Sequence, residues 1–363
     1  MALPSTGYTT ATVDNPSSAL SDFTLMVDLS DMPSNWWSAV DTSDGTKGRA
    51  AKDDGTELAT DWIDFDDTAE TGWLRVKWSG TLASTGTQTL RVYPPVSGNT
   101  SYAASDTYGS DNAYDADWVG YWPMHDVNDR TANAYHGTAQ GGVTVGGATG
   151  RVGNATRFIN NSGNAINLGV SPGDDLEANS NFTISAWVEP NSVVDGSIVS
   201  RWPNDGGKID GQQFLLWLDI GGSVGYATII RQNGAVARIG ESDSNAAVNT
   251  WAHVVSTYDQ TTLQTIVDGG SSGSSVSSTI NLQNVSSNVL IGNDPVDGGR
   301  NFNGIIDEVQ IHKVSRSDDW VKHEYDQTSN NSTFWGTWTW NAATTTTATI
   351  PPFLLEMHMT GSF

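Results

Sequence analysis

Cysteine is absent from the 363 residues, which excludes disulfides and thiolate metal sites. Cationic residues are scarce: 17 Lys and Arg stand against 41 Asp and Glu, a formal net charge of −24. General binding to nucleic acid or to an anionic membrane surface needs basic patches, so both are excluded as broad functions. No apolar run approaches the roughly 18 residues of a membrane-spanning helix. The opening MALPSTGYTTATVDNPSSAL has neither a charged n-region nor a long apolar h-region, so no secretory signal is visible. The expectation is a chain made and kept in the cytoplasm, or one that leaves by cell lysis or a dedicated route. Long segments of helical period are almost missing as well.

What is abundant is Gly, Ser and Thr, together with 15 tryptophans. Such a composition predicts an all-β protein with wide loops and aromatic-plugged cores, long enough for two domains. Phe23, Leu25, Val27 and Leu29 alternate with Thr24, Met26 and Asp28. Trp73–Trp78 and Thr87–Tyr93 alternate in the same way, as strands do. Ser34–Val40 reads as a short helix capped by Ser34, and Asp53-Asp-Gly-Thr56 as a turn. Residues 95–117 are small and polar without a sustained period, a connector whose tyrosines place it against a domain surface.

In Gly304–His312, Ile305, Asp307, Val309 and Ile311 are expected on one face and Ile306, Glu308, Gln310 and His312 on the other. Asp307 would then sit among aliphatic side chains, where a charged carboxylate must be paired, hydrogen-bonded or metal-bound. The following SRSDDW reads as a helix start, with Ser317 as cap, Asp318 and Asp319 at the positive end, and Trp320 packing back. Residues 327–363 alternate aromatics and threonines as a strand or hairpin would. That alternation is carried by STFWGTWTWNAATTTTATI; PPFLLEMHMTGSF then adds an apolar cluster, Phe353, Leu354, Leu355, Met357, Met359 and Phe363, which suits a docking tail, on this domain or on another subunit.

These motifs support two resemblances. DFTLMVDLSDMP, DDGTEL, WIDFDD, GWLRVKW and TLRVYPP resemble an uncharacterised β-sandwich domain that often precedes laminin-G-like domains. WVGYWPMHD, ANAYHGTAQGG, NFTISAWVEP, TWAHVVSTYD and FNGIIDEVQIHKVSRSDDW follow in the order of a laminin-G-like, concanavalin A-like jelly roll. The resemblance implies two β-sandwich (jelly-roll) domains in series with a C-terminal β arm. The units are 1–94, the connector 95–117, the jelly roll 118–326, and an arm and tail 327–363. It also implies one structural Ca2+, with Asp307 and Asp126 as ligands; the alternative is a carboxylate satisfied by backbone N–H groups or an arginine.

For glycans, the loop SRWPNDGGKIDGQQ offers Trp202 for stacking beside Asn204 and Asp205; the alternative is a tryptophan lid packed over the core edge. Glycosidases of this fold commonly carry Glu-x-Asp-x-x-Glu, of which Glu241-Ser-Asp243 is only a fragment, so no enzyme is expected. His253 reads as a core residue. His125, His136, His312, His323 and His358 have neither metal nor triad spacing. DLSDMPSNWW further resembles proteins of tailed-phage structural modules. That resemblance implies a virion protein (tail, fibre or capsid-surface component) assembled in the host cytoplasm. It would contact other virion proteins and copies of itself, and would touch host-surface polysaccharide. The alternative is an extracellular carbohydrate-binding or adhesion module.

Overall fold

The computed structural model describes residues 3, 4, 6–160, 163–177, 181–203, 212–219, 225–232, 235–238, 246–270, 274–294 and 300–343. In the N-terminal unit a five-stranded antiparallel sheet runs in the order Thr339–Asn341, Tyr8–Thr12, Thr89–Tyr93, Arg49–Lys52, Glu57–Leu58. It faces a three-stranded sheet of Thr24–Asp28, Thr71–Lys77 and Thr60–Asp66. Period-two alternation sends Leu25, Val27, Leu74 and Val76 inward to meet Ala50, Leu90 and Val92. Trp36 fills the middle, fully buried, with its indole N–H donated to the Val92 carbonyl. The tryptophan pair explains the short helix Ser34–Trp37, whose two rings are buried and pack edge to face. Its cap position is Pro33 and no side chain caps it, so Ser34 is the first helical residue and not the cap predicted for it.

The second unit is all antiparallel. One sheet orders Thr144–Thr149, Asn154–Phe158, Gly304–His312, Phe182–Pro190, Ala252–Tyr258, Thr262–Val267 and Ser274–Ser277, with Trp118–Trp122 also paired to Gly304–His312. The other orders Thr138–Gln140, Ala165–Asn167, Leu290–Ile291, Gly196–Arg201, Phe214–Asp219, Gly225–Gln232 and Ala235–Arg238. Between them lies one apolar core to which Phe182, Ile184, Ala186 and Val188 contribute every second side chain.

The outer face of the first sheet is also covered. Helix Asp318–Ser329 and the three-stranded sheet of the N-terminal unit pack against it, so that Val255, Ile266, Trp320 and Val321 share a core with Leu25 and Trp36. Gly304–His312 is buried along its whole length, and on the covered outer side it carries polar residues, among them Glu308 and Gln310, that must find partners there.

That strand corrects the predicted face assignment. Trp187 stands opposite Asp307 and Ser185 opposite Gln310, a register shift that inserts one residue, and Glu308 takes a φ of 51°. This β-bulge breaks the period of two. Ile306, Val309 and Ile311 point into the jelly-roll core, whereas Ile305 packs with Ala148 and Ala155 on the outer side. Asp307 and Glu308 therefore do not occupy the predicted opposite faces.

The C-terminal arm differs from its prediction too. Ser317 accepts the Trp320 N–H at 3.2 Å, as expected of a cap, but the helix runs on through Asp326 to Ser329. Asn331–Phe334 adds another helical turn, and the first strand is Thr339–Asn341, which extends the N-terminal sheet beside Tyr8–Thr12. Phe334 and Trp335 are spent on packing against Thr24–Asp28; Trp335 donates its indole N–H to the Met26 carbonyl. The residues from 344 onward, including all six apolar tail positions, lie outside the described residues.

Candidate functional site

The two units meet through a buried polar lock. Arg75, fully buried on Thr71–Lys77, reaches Glu308 of the jelly roll at 2.6 Å and Glu324 of the helix at 3.2 Å. Tyr121 donates its hydroxyl to Glu308 at 2.8 Å, and Gln310 donates to Glu324 at 2.8 Å. Gln327 donates to Glu324 and accepts the Met26 N–H, stitching the helix to the edge of the small sheet. Burial pushes the Glu308 carboxyl up to about 7, against the opposing pull of Arg75. Burial, which disfavours the charged ring, drives His253 down to about 3 and His312 well below its usual value. This junction holds structure.

At its edge, where the connector passes, the surface opens. The connector ends in a turn of 3-10 helix at Ser110–Ala113, laid against the N-terminal unit by the Ala113 carbonyl accepting Thr24 Oγ1 and the Tyr108 carbonyl accepting the Thr60 N–H. Beside it is a cavity of about 170 Å3 walled by Trp62, Tyr102 and Tyr108, with Asp61 and Arg130 at one end. Three parts of the chain build it: Asp61 and Trp62 come from Thr60–Asp66, the tyrosines from the connector, and Arg130 from the loop after Trp118–Trp122.

Each wall is held from behind. Arg130 chelates Asp61 through Nε and Nη2, and Tyr114 donates its hydroxyl to Asp61 at 2.7 Å. Tyr102 donates to Glu57 at 2.9 Å with the Arg49 guanidinium 3.9 Å over its ring, and burial pushes its hydroxyl up to about 12. Trp62 stacks on Trp36 at 6.5 Å, and its indole N–H has no acceptor among the described residues. Ser110 and Arg130 also wall an adjoining polar cleft of about 420 Å3 that includes Asn128, Asp129 and His136. Asp111 and Thr131 in turn wall a third, of about 440 Å3, lined by Lys77 and Lys313. The three adjoin as a groove around the connector, with aromatic walls at one end and Lys77 and Lys313 at the other.

Rigid aromatic faces beside a few fixed polar groups suit a ligand that is apolar on its ring faces and polar at its edges, as a sugar is. Hydrolysis of a glycosidic bond would need two carboxylates flanking it. In the aromatic cavity only Asp61 qualifies, and Arg130 and Tyr114 already occupy both of its oxygens. The chemistry available there is binding.

The residues singled out from sequence fall elsewhere. Trp202 is buried under Arg231 and packs with Leu215, Trp217 and Ile229 on the outer side of the second sheet, so it offers no open stacking face. Asn204 and Asp205 lie outside the described residues, as do Glu241, Asp243 and His358. Asp126 and Asp307 hold separate sets of hydrogen-bond partners. Asp307 Oδ2 accepts the N–H groups of Arg151 and Val152 at 2.7 and 2.9 Å, and Oδ1 accepts the Glu308 N–H at 3.0 Å. Asp126 binds both the backbone and side chain of Asn128. A carboxylate ringed by N–H donors presents the wrong polarity to a cation, so these residues do not fit a calcium ion. Among the described residues no three His, Asp or Glu side chains converge as a metal site.

The jelly roll has a known relation. Residues 148–322 match the family model described as the Concanavalin A-like lectin/glucanases superfamily. They are a concanavalin A-like domain. Solved structures similar to the chain include the binding domain of Paraclostridial Mosquitocidal Protein 1, at 18% identity and a TM-score of 0.47, covering 58% of this chain and 52% of that one. Domain 4 of AbnA, a GH43 extracellular arabinanase from Geobacillus stearothermophilus in complex with arabinotriose, gives 18% identity and a TM-score of 0.44 over 58% of this chain and 98% of that one. The receptor binding domain of botulinum neurotoxin C/D mosaic serotype gives 15% and 0.44, over 58% and 51%. The chain spans about half the length of the first and third of these. No curated protein matches.

The groove itself was not anticipated. Its jelly-roll side contributes Arg130, which falls between the quoted motifs, and Lys313, which falls inside FNGIIDEVQIHKVSRSDDW but was read there only as part of the fold. The one available signal was the regular placing of Tyr102, Tyr108 and Tyr114 in an otherwise polar connector.

Proposed function

We propose that the chain is a non-enzymatic glycan-binding protein whose ligand lies in the groove between its two units. The observation that carries this reading is the cavity of Trp62, Tyr102 and Tyr108 closed by the Asp61–Arg130 pair. The test is a glycan array on the full chain, followed by calorimetry on the best binder with wild type and Tyr108→Ala. Tyr108 is half-exposed and tied down only through its backbone and a ring contact with Tyr102, so the fold survives its loss. Affinity is expected to fall about tenfold to thirtyfold, as for a central aromatic contact. Unchanged affinity removes the groove from the account.

The finer reading is a surface component of a tailed-phage virion that contacts host polysaccharide, supported by the resemblance of DLSDMPSNWW. There the apolar tail docks on other virion proteins. Because helix Asp318–Ser329 and strand Thr339–Asn341 belong to the N-terminal core, the truncation that tests the tail ends at Ala343. That fragment is expected to fold but not to enter particles; incorporation equal to the full chain refutes the docking role.

A further inference from the structure

We infer that the glycan is acidic, with a sugar carboxylate seated between Lys77 and Lys313 at the far end of the groove. This rests on the glycan-binding reading and adds the class of ligand. The lysines come from different units: Lys77 ends the strand Thr71–Lys77 and Lys313 follows Gly304–His312. They border one cavity of about 440 Å3, together with Asn112, Tyr114 and Asn133.

Their lack of partners is informative in so acidic a chain. Of the six lysines, Lys208 lies outside the described residues. Lys47 and Lys52 donate to the carbonyls of Ser97 and Ser79, and Lys322 pairs with Asp326. Lys77 and Lys313 make no side-chain hydrogen bond or ion pair among the described residues, and both line this cavity. Asp115, also on its wall, is already taken by Arg316 at 3.0 and 3.1 Å. Arg316 is shared with Asp117 at 3.8 Å, and Asp111 is the one wall carboxylate without such a partner, so two unpaired lysines stand on this wall against one unpaired carboxylate in a chain of net charge −24.

At physiological ionic strength, charges more than about 8 Å away are largely screened, so the local pair decides. A carboxylate there gains charge-assisted hydrogen bonds from both ammonium groups. Because the aromatic cavity and this one are joined by a cleft that shares walls with both, the ligand is an oligosaccharide, its rings on Tyr108 and Trp62 and its acid at the lysines.

Uronates and sialates share this chemistry, and the test separates them. Calorimetry on the full chain would use oligogalacturonate, a sialylated oligosaccharide and the carboxyl-reduced form of each, against wild type, Lys77→Gln, Lys313→Gln and Tyr108→Ala. At least one acidic probe is expected to bind. Carboxyl reduction or either lysine substitution should weaken it about tenfold, equivalent to the loss of one charge-assisted contact. The lysine variants should leave the reduced probe unaffected, and thermal melts should match wild type because neither lysine has a partner to lose. Equal binding of acidic and reduced probes, with Tyr108 still required, overturns the acidic assignment and leaves the glycan reading standing. Absence of binding by every probe, after a blank array, overturns both.

Discussion

Arg75→Met is expected to cost about 3–5 kcal/mol of unfolding free energy, the usual penalty for removing one partner of a buried ion pair. Glu308 and Glu324 would be left facing each other in a site sealed from water. Tyr121, Gln310 and Gln327 still donate to them, but these neutral donors do not balance two charges. The loss should depend on pH. Glu308 titrates at about 7 in the fold against an ordinary 4.5. Its protonated form therefore favours the folded state, a contribution complete below about pH 4.5 and lost as pH rises through 7. Without Arg75 its affinity for the proton rises further, so the variant should suffer least near pH 5 and most near pH 8. Urea unfolding at both ends of that range checks this. Adding Glu308→Gln and Glu324→Gln to the variant should restore much of the loss, because no unpaired charge then remains. A deficit under about 1 kcal/mol at both pH values would mean that the junction is wet and its charges screened.

Asp61→Ala carries the second large effect, and it joins stability to binding. Asp61 is 2% exposed and receives Arg130 from the jelly roll and Tyr114 from the connector. Removing it leaves a buried hydroxyl and a partly exposed guanidinium without acceptors, expected to cost about 2–4 kcal/mol. The groove would lose its fixed end as well, and glycan affinity should fall more than tenfold. Asp61→Asn keeps an acceptor oxygen and should lie between the two in both measurements. Calorimetry beside urea unfolding separates the effects. Destabilisation with unaltered affinity would assign Asp61 to the junction alone.

How much of this could be read from the chain follows from the range of each signal. Strand identity is local, so the ordered motifs from WVGYWPMHD to FNGIIDEVQIHKV sufficed for an all-β jelly roll, and Ser317 was recognisable as a helix cap. Face assignment failed at Glu308 because a bulge adds a residue without altering composition. The aromatic-threonine pattern after Asn331 failed because Phe334 and Trp335 answer to the small sheet they pack on, a tertiary demand that overrides strand periodicity. Trp202 has the same residue type exposed or buried; Arg231 across its ring decides the matter. The groove was out of reach for a simpler reason. Asp61 and Arg130 are 69 positions apart and Lys77 and Lys313 further still, and nothing in either local sequence indicates that the domains meet there.

The central claim is that the ligand is held between the two units, against the connector. A crystal structure of the full chain with its tightest-binding oligosaccharide tests it most directly. The account predicts a sugar ring on Tyr108 and Trp62 beside the Asp61–Arg130 pair, with the chain running past Ser110 toward Lys77 and Lys313. Sugar bound only on the concanavalin A-like sheets, with nothing along the connector, would contradict it.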